Sequence, residues 1–265
     1  MKHPTQAREA AEDLDAYVLR GSDAVVETRS SVVLIDTDNP SPLFRFAARV
    51  RFGADPGAEI DAVRAWYRDR DREAFTWKLG PSTSPATLEA RLREHGAHED
   101  EAEPEHTAMV LDRPPAPVPG VEVRVVDRFD DFVTSAELLA SGFGGSFTDT
   151  ERAAMRAQLP QRYEAYRAAG VAQRYLAVVD GRAVAVGTAV RTSVGVVALG
   201  GGATLPEARG RGAYRALVRA RWDDAVAAGT PVLVTQASGL SRPILERLGF
   251  RAVGRVVELI DTTEP

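Results

Sequence analysis

Cysteine is absent from the 265 residues, which excludes disulfides, thiolate metal ligands and a covalent acyl-cysteine intermediate. Lysine is nearly absent: Lys2 and Lys78 are the only two, and arginine carries the rest of the positive charge. The four histidines, His3, His95, His98 and His106, all precede residue 113. The remainder of the chain therefore has no histidine for a catalytic triad or a His-based metal site. No apolar run reaches the roughly 18 residues of a membrane span. The first 13 residues are polar and charged, without the apolar stretch of a secretory leader. A cytoplasmic protein with no membrane partner is expected. The net charge of −5 weighs against a nucleic-acid partner, because binding a phosphate backbone leaves a basic balance.

What is present suits a folded protein: 44% hydrophobic residues beside 27% charged ones. The length exceeds one ordinary domain and predicts two. The boundary falls at residues 113–120, where Pro114, Pro115, Pro117 and Pro119 forbid a regular helix or a central strand. Domains over 1–113 and 121–265 follow. The acidic run at 99–105 reads as a solvated loop.

In the second half the pattern predicts a strand at 121–126, a short helix at 131–140 and a helix at 148–169 that Pro160 kinks or divides and Gly170 stops. Two strands at 174–179 and 183–190 flank Asp180 and Gly181, a strong hairpin signal. A third strand at 194–199 ends in Gly200, Gly201 and Gly202. Then come a helix at 211–228, a strand at 231–235, a helix at 241–248 with Ser241 as a natural N-cap, and a strand at 252–260. Helices between strands of one mixed sheet make an α/β or α+β architecture.

The chemistry concentrates where a strand passes through Thr204, Leu205 and Pro206 into Arg209, Gly210, Arg211, Gly212, Ala213 and Tyr214, and then into a helix. A helix N-terminus presents unsatisfied N–H groups and a partial positive charge, and glycines let a phosphate approach them. The two arginines add positive potential. This composition suits a pyrophosphate. A P-loop would need Lys followed by Ser or Thr after its second glycine, and the dinucleotide fingerprint would need three spaced glycines after the first strand of a βαβ unit; neither is present.

Residues 121–260 resemble the GNAT superfamily of acyl-CoA-dependent N-acyltransferases. The superfamily's cofactor signature, Arg or Gln, two residues, Gly, one residue, then Gly or Ala, falls on Arg209, Gly212 and Tyr214, with Tyr214 larger than the usual residue. Thr204, Leu205, Pro206 and Glu207 match the strand end before that loop, and residues 241–250, S-R-P-I-L-E-R-L-G-F, resemble the superfamily's last helix and its Gly-Phe. The resemblance implies an α+β fold, acetyl-CoA or another acyl-CoA as co-substrate without a metal, the backbone of Thr204 and Leu205 along the acyl and pantetheine arm, and the amides of Arg211, Gly212, Ala213 and Tyr214 on the pyrophosphate. It implies N-acetylation of a small amine such as an amino acid, polyamine, aminoglycoside or natural product. A protein or peptide N-acetyltransferase and a non-catalytic acyl-CoA binder remain alternatives, and the chain is expected as a monomer or homodimer.

Two positions depart from the superfamily: Ser238 stands where Asn is common, and Leu245 where a general-acid Tyr is common. The carboxylate that many relatives carry before the cofactor loop is replaced by Gly200 and Gly201. Candidates for moving protons are Ser238, Ser241 and Glu258, with Asp149, Glu151, Tyr163 and Tyr166 in the wider set.

The first half reads as a helix at 6–19, strands at 24–26, 31–37 and 43–52, a helix at 58–68, a strand at 75–79, a helix at 85–95 closed by Gly96 and a strand at 106–111. The order echoes the second half. A tandem is expected, each half a mixed, mostly antiparallel sheet flanked by helices, the first degenerate. Its equivalent loop carries Asp55, Pro56 and Glu59 and would repel a pyrophosphate. Trp66 and Trp77 read as packing residues.

Overall fold

The computed structural model describes residues 4–21, 24–100, 105–142 and 148–263. It resolves into two compact units. One comprises Met1–Val18, Ser22–Val110 and Val234–Pro265, and the other Leu19–Gly21 and Leu111–Leu233. Both are α+β. The units follow contacts and not chain order, since the last 32 residues group with the first half.

The first unit opens with helices α1 (Pro4–Glu12) and α2 (Leu14–Tyr17). Strands β1 (Ala24–Thr28), β2 (Val33–Thr37) and β3 (Phe46–Ala48) lead to α3 (Gly57–Arg68), β4 (Ala74–Leu79), α4 (Leu88–Glu94) and β5 (Glu105–Leu111). From the end of the chain come β10 (Leu233–Ala237), α8 (Arg242–Arg247) and β11 (Arg251–Thr262). The strand order is β1-β2-β3-β4-β11-β5-β10. Thus β11 enters between two strands of the first half, antiparallel to both.

A large apolar core lies within this unit. Trp77, Tyr67, Phe75, Leu88 and Leu92 are fully buried together with Val257 and Leu259 of β11. Tyr67 stacks on Phe75 with ring centroids 4.2 Å apart. The polar side of β11 is anchored as firmly. Arg64 grips Asp261 in a bidentate pair at 3.0 Å, and the Trp77 indole donates to the same carboxylate at 2.8 Å. Both tryptophans are therefore core residues, Trp66 donating to Glu27.

One strand of this half is shorter than its pattern. The alternation over 43–52 yields only β3, because Arg49 adopts a left-handed φ of 53° and a 3-10 turn occupies Pro42–Phe44. Val50 and Phe52 are still buried, but Phe44 is exposed. Hydrophobic alternation reported burial here, not pairing.

In the second unit, β6 (Glu122–Val125), α5 (Phe129–Gly142), α6 (Asp149–Ala169), β7 (Ala172–Val179), β8 (Arg182–Arg191), β9 (Val197–Thr204) and α7 (Ala213–Ala227) follow in order. The strands run β9-β8-β7-β6, all antiparallel. Asp180 and Gly181 both have positive φ, as the two-residue hairpin turn requires. Val126, Phe132, Leu138, Leu159, Leu176 and Val186 form the core between the sheet and α5 and α6. Pro160 lies inside α6 without dividing it.

β9 does not stop at the glycines. It runs through them to Thr204, and its register with β8 shifts between Val186 and Thr188, which makes a bulge at the triplet. Gly201 takes φ +54°, and a Cβ there would meet Thr188 and Leu139 of α5; at Gly202 it would meet the Tyr214 ring of α7. Side chains alternate across a strand, so α5 and α7 cover opposite faces of β9.

Candidate functional site

The approach to α7 is a 3-10 turn at Pro206–Ala208 followed by Arg209, Gly210 and Arg211. Gly212 is the N-cap, with φ 85° and ψ −1°, and no side chain caps the helix. The first intrahelical bond runs from the Ala216 amide to the Gly212 carbonyl at 2.9 Å. The amides of Ala213, Tyr214 and Arg215 precede it and have no acceptor within the helix. Fifteen residues of α7 align their dipoles behind these donors.

Of the nearby arginines, Arg211 pairs with Asp180 at 2.6 Å. Among the described residues, no carboxylate pairs with Arg209 or Arg215. The Arg215 guanidinium lies 3.6 Å from where a Gly212 Cβ would be. Arg215 was not singled out in the sequence, although its position three residues after Gly212 puts it in the first helical turn. Tyr214, the residue larger than the signature expects, packs its ring under Gly202, and the missing Cβ there makes the room.

The strand side differs in one respect from what the resemblance implied. The Leu205 amide donates to Val184 at 2.9 Å and its carbonyl accepts from Ala208 at 2.9 Å. Leu205 therefore has no free backbone donor for a ligand, and Thr204 is the last residue of β9, paired in register with Ala185 of β8.

The proton-transfer candidates separate. Ser238 and Ser241 lie together after β10, their hydroxyls 3.5 Å apart. Ser241 does not cap α8 with its side chain; its hydroxyl donates to the Ser238 carbonyl at 3.3 Å. Leu245 is buried, with 1% of its surface exposed. Glu258 is buried between Lys78, with which it forms a short ion pair, and His106, whose Nδ1 lies 3.0 Å away. Burial alone would raise its pKa, but Lys78 and His106 outweigh burial and hold the carboxyl at about 2. Lys78 also faces Asp15 at 3.6 Å. Glu258 is thus the anion of a buried ion cluster and a poor acceptor of protons near neutral pH.

The tyrosines are also engaged. Tyr163 donates to the Asp127 carbonyl at 2.6 Å, and the Tyr166 oxygen accepts from the Arg174 amide at 3.1 Å. The side chains of Asp149 and Glu151 lie outside the described residues. In the first half, the Glu59 carboxylate accepts the Gly53 amide at 3.2 Å, so the start of α3 carries an anion of its own.

No family model matches the sequence, and no curated protein does. Solved structures do. A GCN5-related N-acetyltransferase from Kribbella flavida is 19% identical, with 96% of this chain and 95% of that one covered at a TM-score of 0.68. A tandem GNAT protein from the clavulanic acid biosynthesis pathway is 16% identical, covering 100% of this chain and 90% of its own, at 0.64. A GCN5-related N-acetyltransferase from Sphaerobacter thermophilus is 18% identical over 90% and 82% of the two chains, at 0.57. At these identities the likeness establishes the fold, which is that of GNAT proteins in tandem arrangement.

Proposed function

We propose that this chain, folded as a tandem GNAT protein, is an acyl-CoA-dependent N-acyltransferase that moves an acetyl group from acetyl-CoA to the amine of a small molecule. The observation that carries this reading is the uncapped start of α7: three amides without helical acceptors behind a left-handed glycine, two arginines without carboxylate partners among the described residues, and a bulged strand leading in. The loop before the helix is open at Gly210, where a Cβ would meet nothing within 4 Å, so a phosphate can approach the backbone there. The amides of Gly212, Ala213 and Tyr214 then hold the phosphates, the Arg211 amide expected beside them being committed to the Ala208 carbonyl at 3.4 Å; the Arg211 and Arg209 side chains add charge, while Thr204 lines the acyl arm. We assign cofactor binding to the 121–265 half, the 1–113 half being degenerate.

A bound acyl-CoA supplies an activated acyl group as a thioester. Direct transfer forms the amide C–N bond as the C–S bond breaks; one proton leaves the amine and one reaches the thiolate sulfur. Glu258 serves its ion cluster and is not assigned to this proton movement. The small-molecule acceptor is supported by the tandem relative, which belongs to a small-molecule biosynthetic pathway.

The test is CoA release from acetyl-CoA with panels of small amines and of peptides. A chain without cysteine gives a thiol reagent no protein background. Release that depends on a small amine supports the proposal. Release with peptides alone makes the chain a peptide acetyltransferase, and binding without release makes it an acyl-CoA binder.

A further inference from the structure

The proline-rich connector between the halves does more than join them. Residues 113–120 have no regular secondary structure, yet Pro115 is buried. Its carbonyl accepts from Arg219 Nη1 at 2.9 Å, and Arg219 is braced in turn by Asp223 at 2.8 Å. Three residues on, Val118 is half-buried, and its Cγ1 lies only 2.9 Å from the Cβ position of Gly212.

These two contacts fix the connector's course. Gly212 and Arg219 are two turns apart on α7, about 10 Å along the axis. Pro115 and Val118 span roughly 9 Å if extended, as a proline-rich segment is. The connector therefore lies antiparallel along the first two turns of α7, and its stiffness holds it there. It ends beside the N-cap whose conformation aims the free amides.

We propose that this connector is one wall of the acyl-CoA site, with Val118 as a positioning residue that holds Gly212 in its left-handed conformation and borders the phosphates. The inference rests on the reading of α7 as the pyrophosphate site. A phosphate on the Ala213 and Tyr214 amides sits about 3 Å from their nitrogens, which places it within roughly 8 Å of Val118. A charge introduced at residue 118 then shifts affinity on the order of tenfold, in a direction set by its sign.

The experiment compares Val118→Asp, Val118→Lys and Val118→Ile in calorimetric titrations with acetyl-CoA at low and high salt, alongside acetyl-pantetheine, which lacks the phosphates. The expected result is acetyl-CoA binding about tenfold weaker for Asp and about tenfold tighter for Lys, while Ile, which changes size without charge, reads the packing contact alone. The Asp and Lys differences shrink in high salt, and the acetyl-pantetheine response is the same in all variants. Equal losses in Asp and Lys indicate a packing contact only and overturn the proposal, as does unchanged affinity in both. If the unaltered protein fails to bind acetyl-CoA, the function itself falls and this inference with it; if it binds while the charged variants match it, only this inference falls.

Discussion

Replacing Glu258 by glutamine separates a structural carboxylate from a catalytic one. The side chain keeps its size but loses the charge that faces Lys78 and His106, leaving Lys78 buried with Asp15 as its remaining carboxylate neighbour. A carboxyl moved from its ordinary 4.5 to about 2 stabilises the fold by roughly 3 kcal/mol at neutral pH, at about 1.4 kcal/mol per unit. Breaking one partner of a buried pair costs about 3–5 kcal/mol by mutational experience, so the two routes agree. The sign follows from the depressed value. The stabilisation is complete above the unfolded pKa of 4.5 and fades as pH falls through about 2. Urea unfolding of the two proteins should therefore show a gap of roughly 3 kcal/mol at pH 7, narrowed by about 1.4 kcal/mol at pH 3.5. Equal stability at pH 7, or a gap that does not change with pH, would refute the ion-cluster account. A turnover loss in a variant of unchanged stability would return Glu258 to the catalytic list.

Three further perturbations address the second half. Leu245→Ala should cost about 2–5 kcal/mol, because the residue is buried; lost turnover without lost stability in urea would contradict a packing role. Gly187→Ala should cost on the order of 1–3 kcal/mol in thermal unfolding. Its Cβ would lie 3.0 Å from the Arg221 guanidinium, which is 1% exposed and bound to the carbonyls of Leu217 and Thr188; a neutral outcome would mean that Arg221 can move. Changing Arg209 and Arg215 together to Glu should weaken acetyl-CoA binding at least tenfold at low salt and less at high salt, and salt-independent binding would argue against charge recognition.

The parts of the fold legible in the sequence are those set by local chemistry. Asp180-Gly181 specifies its turn because few residue pairs accept two positive φ values, whereas the glycine triplet read as the end of a strand that in fact continues through a bulge to Thr204. Partner choice was not local. Nothing near Glu258 in the sequence points to Lys78, 180 positions away, so a carboxylate on a strand read as a candidate for chemistry. The insertion of β11 between β4 and β5 is hidden for the same reason: strand alternation tells which face is buried, not which strand lies alongside. Leu205 matched its motif, but only coordinates show its amide committed to Val184. Val118 belongs to no motif, and its place beside Gly212 depends on how the connector folds back on α7.

The most direct test of the account is calorimetric titration of the intact chain with acetyl-CoA. The uncapped α7 in one half and the Glu59-filled loop in the other predict one site per chain. Two sites would show that the first half is not degenerate, and no binding would contradict the central claim that the start of α7 is an acyl-CoA pyrophosphate site.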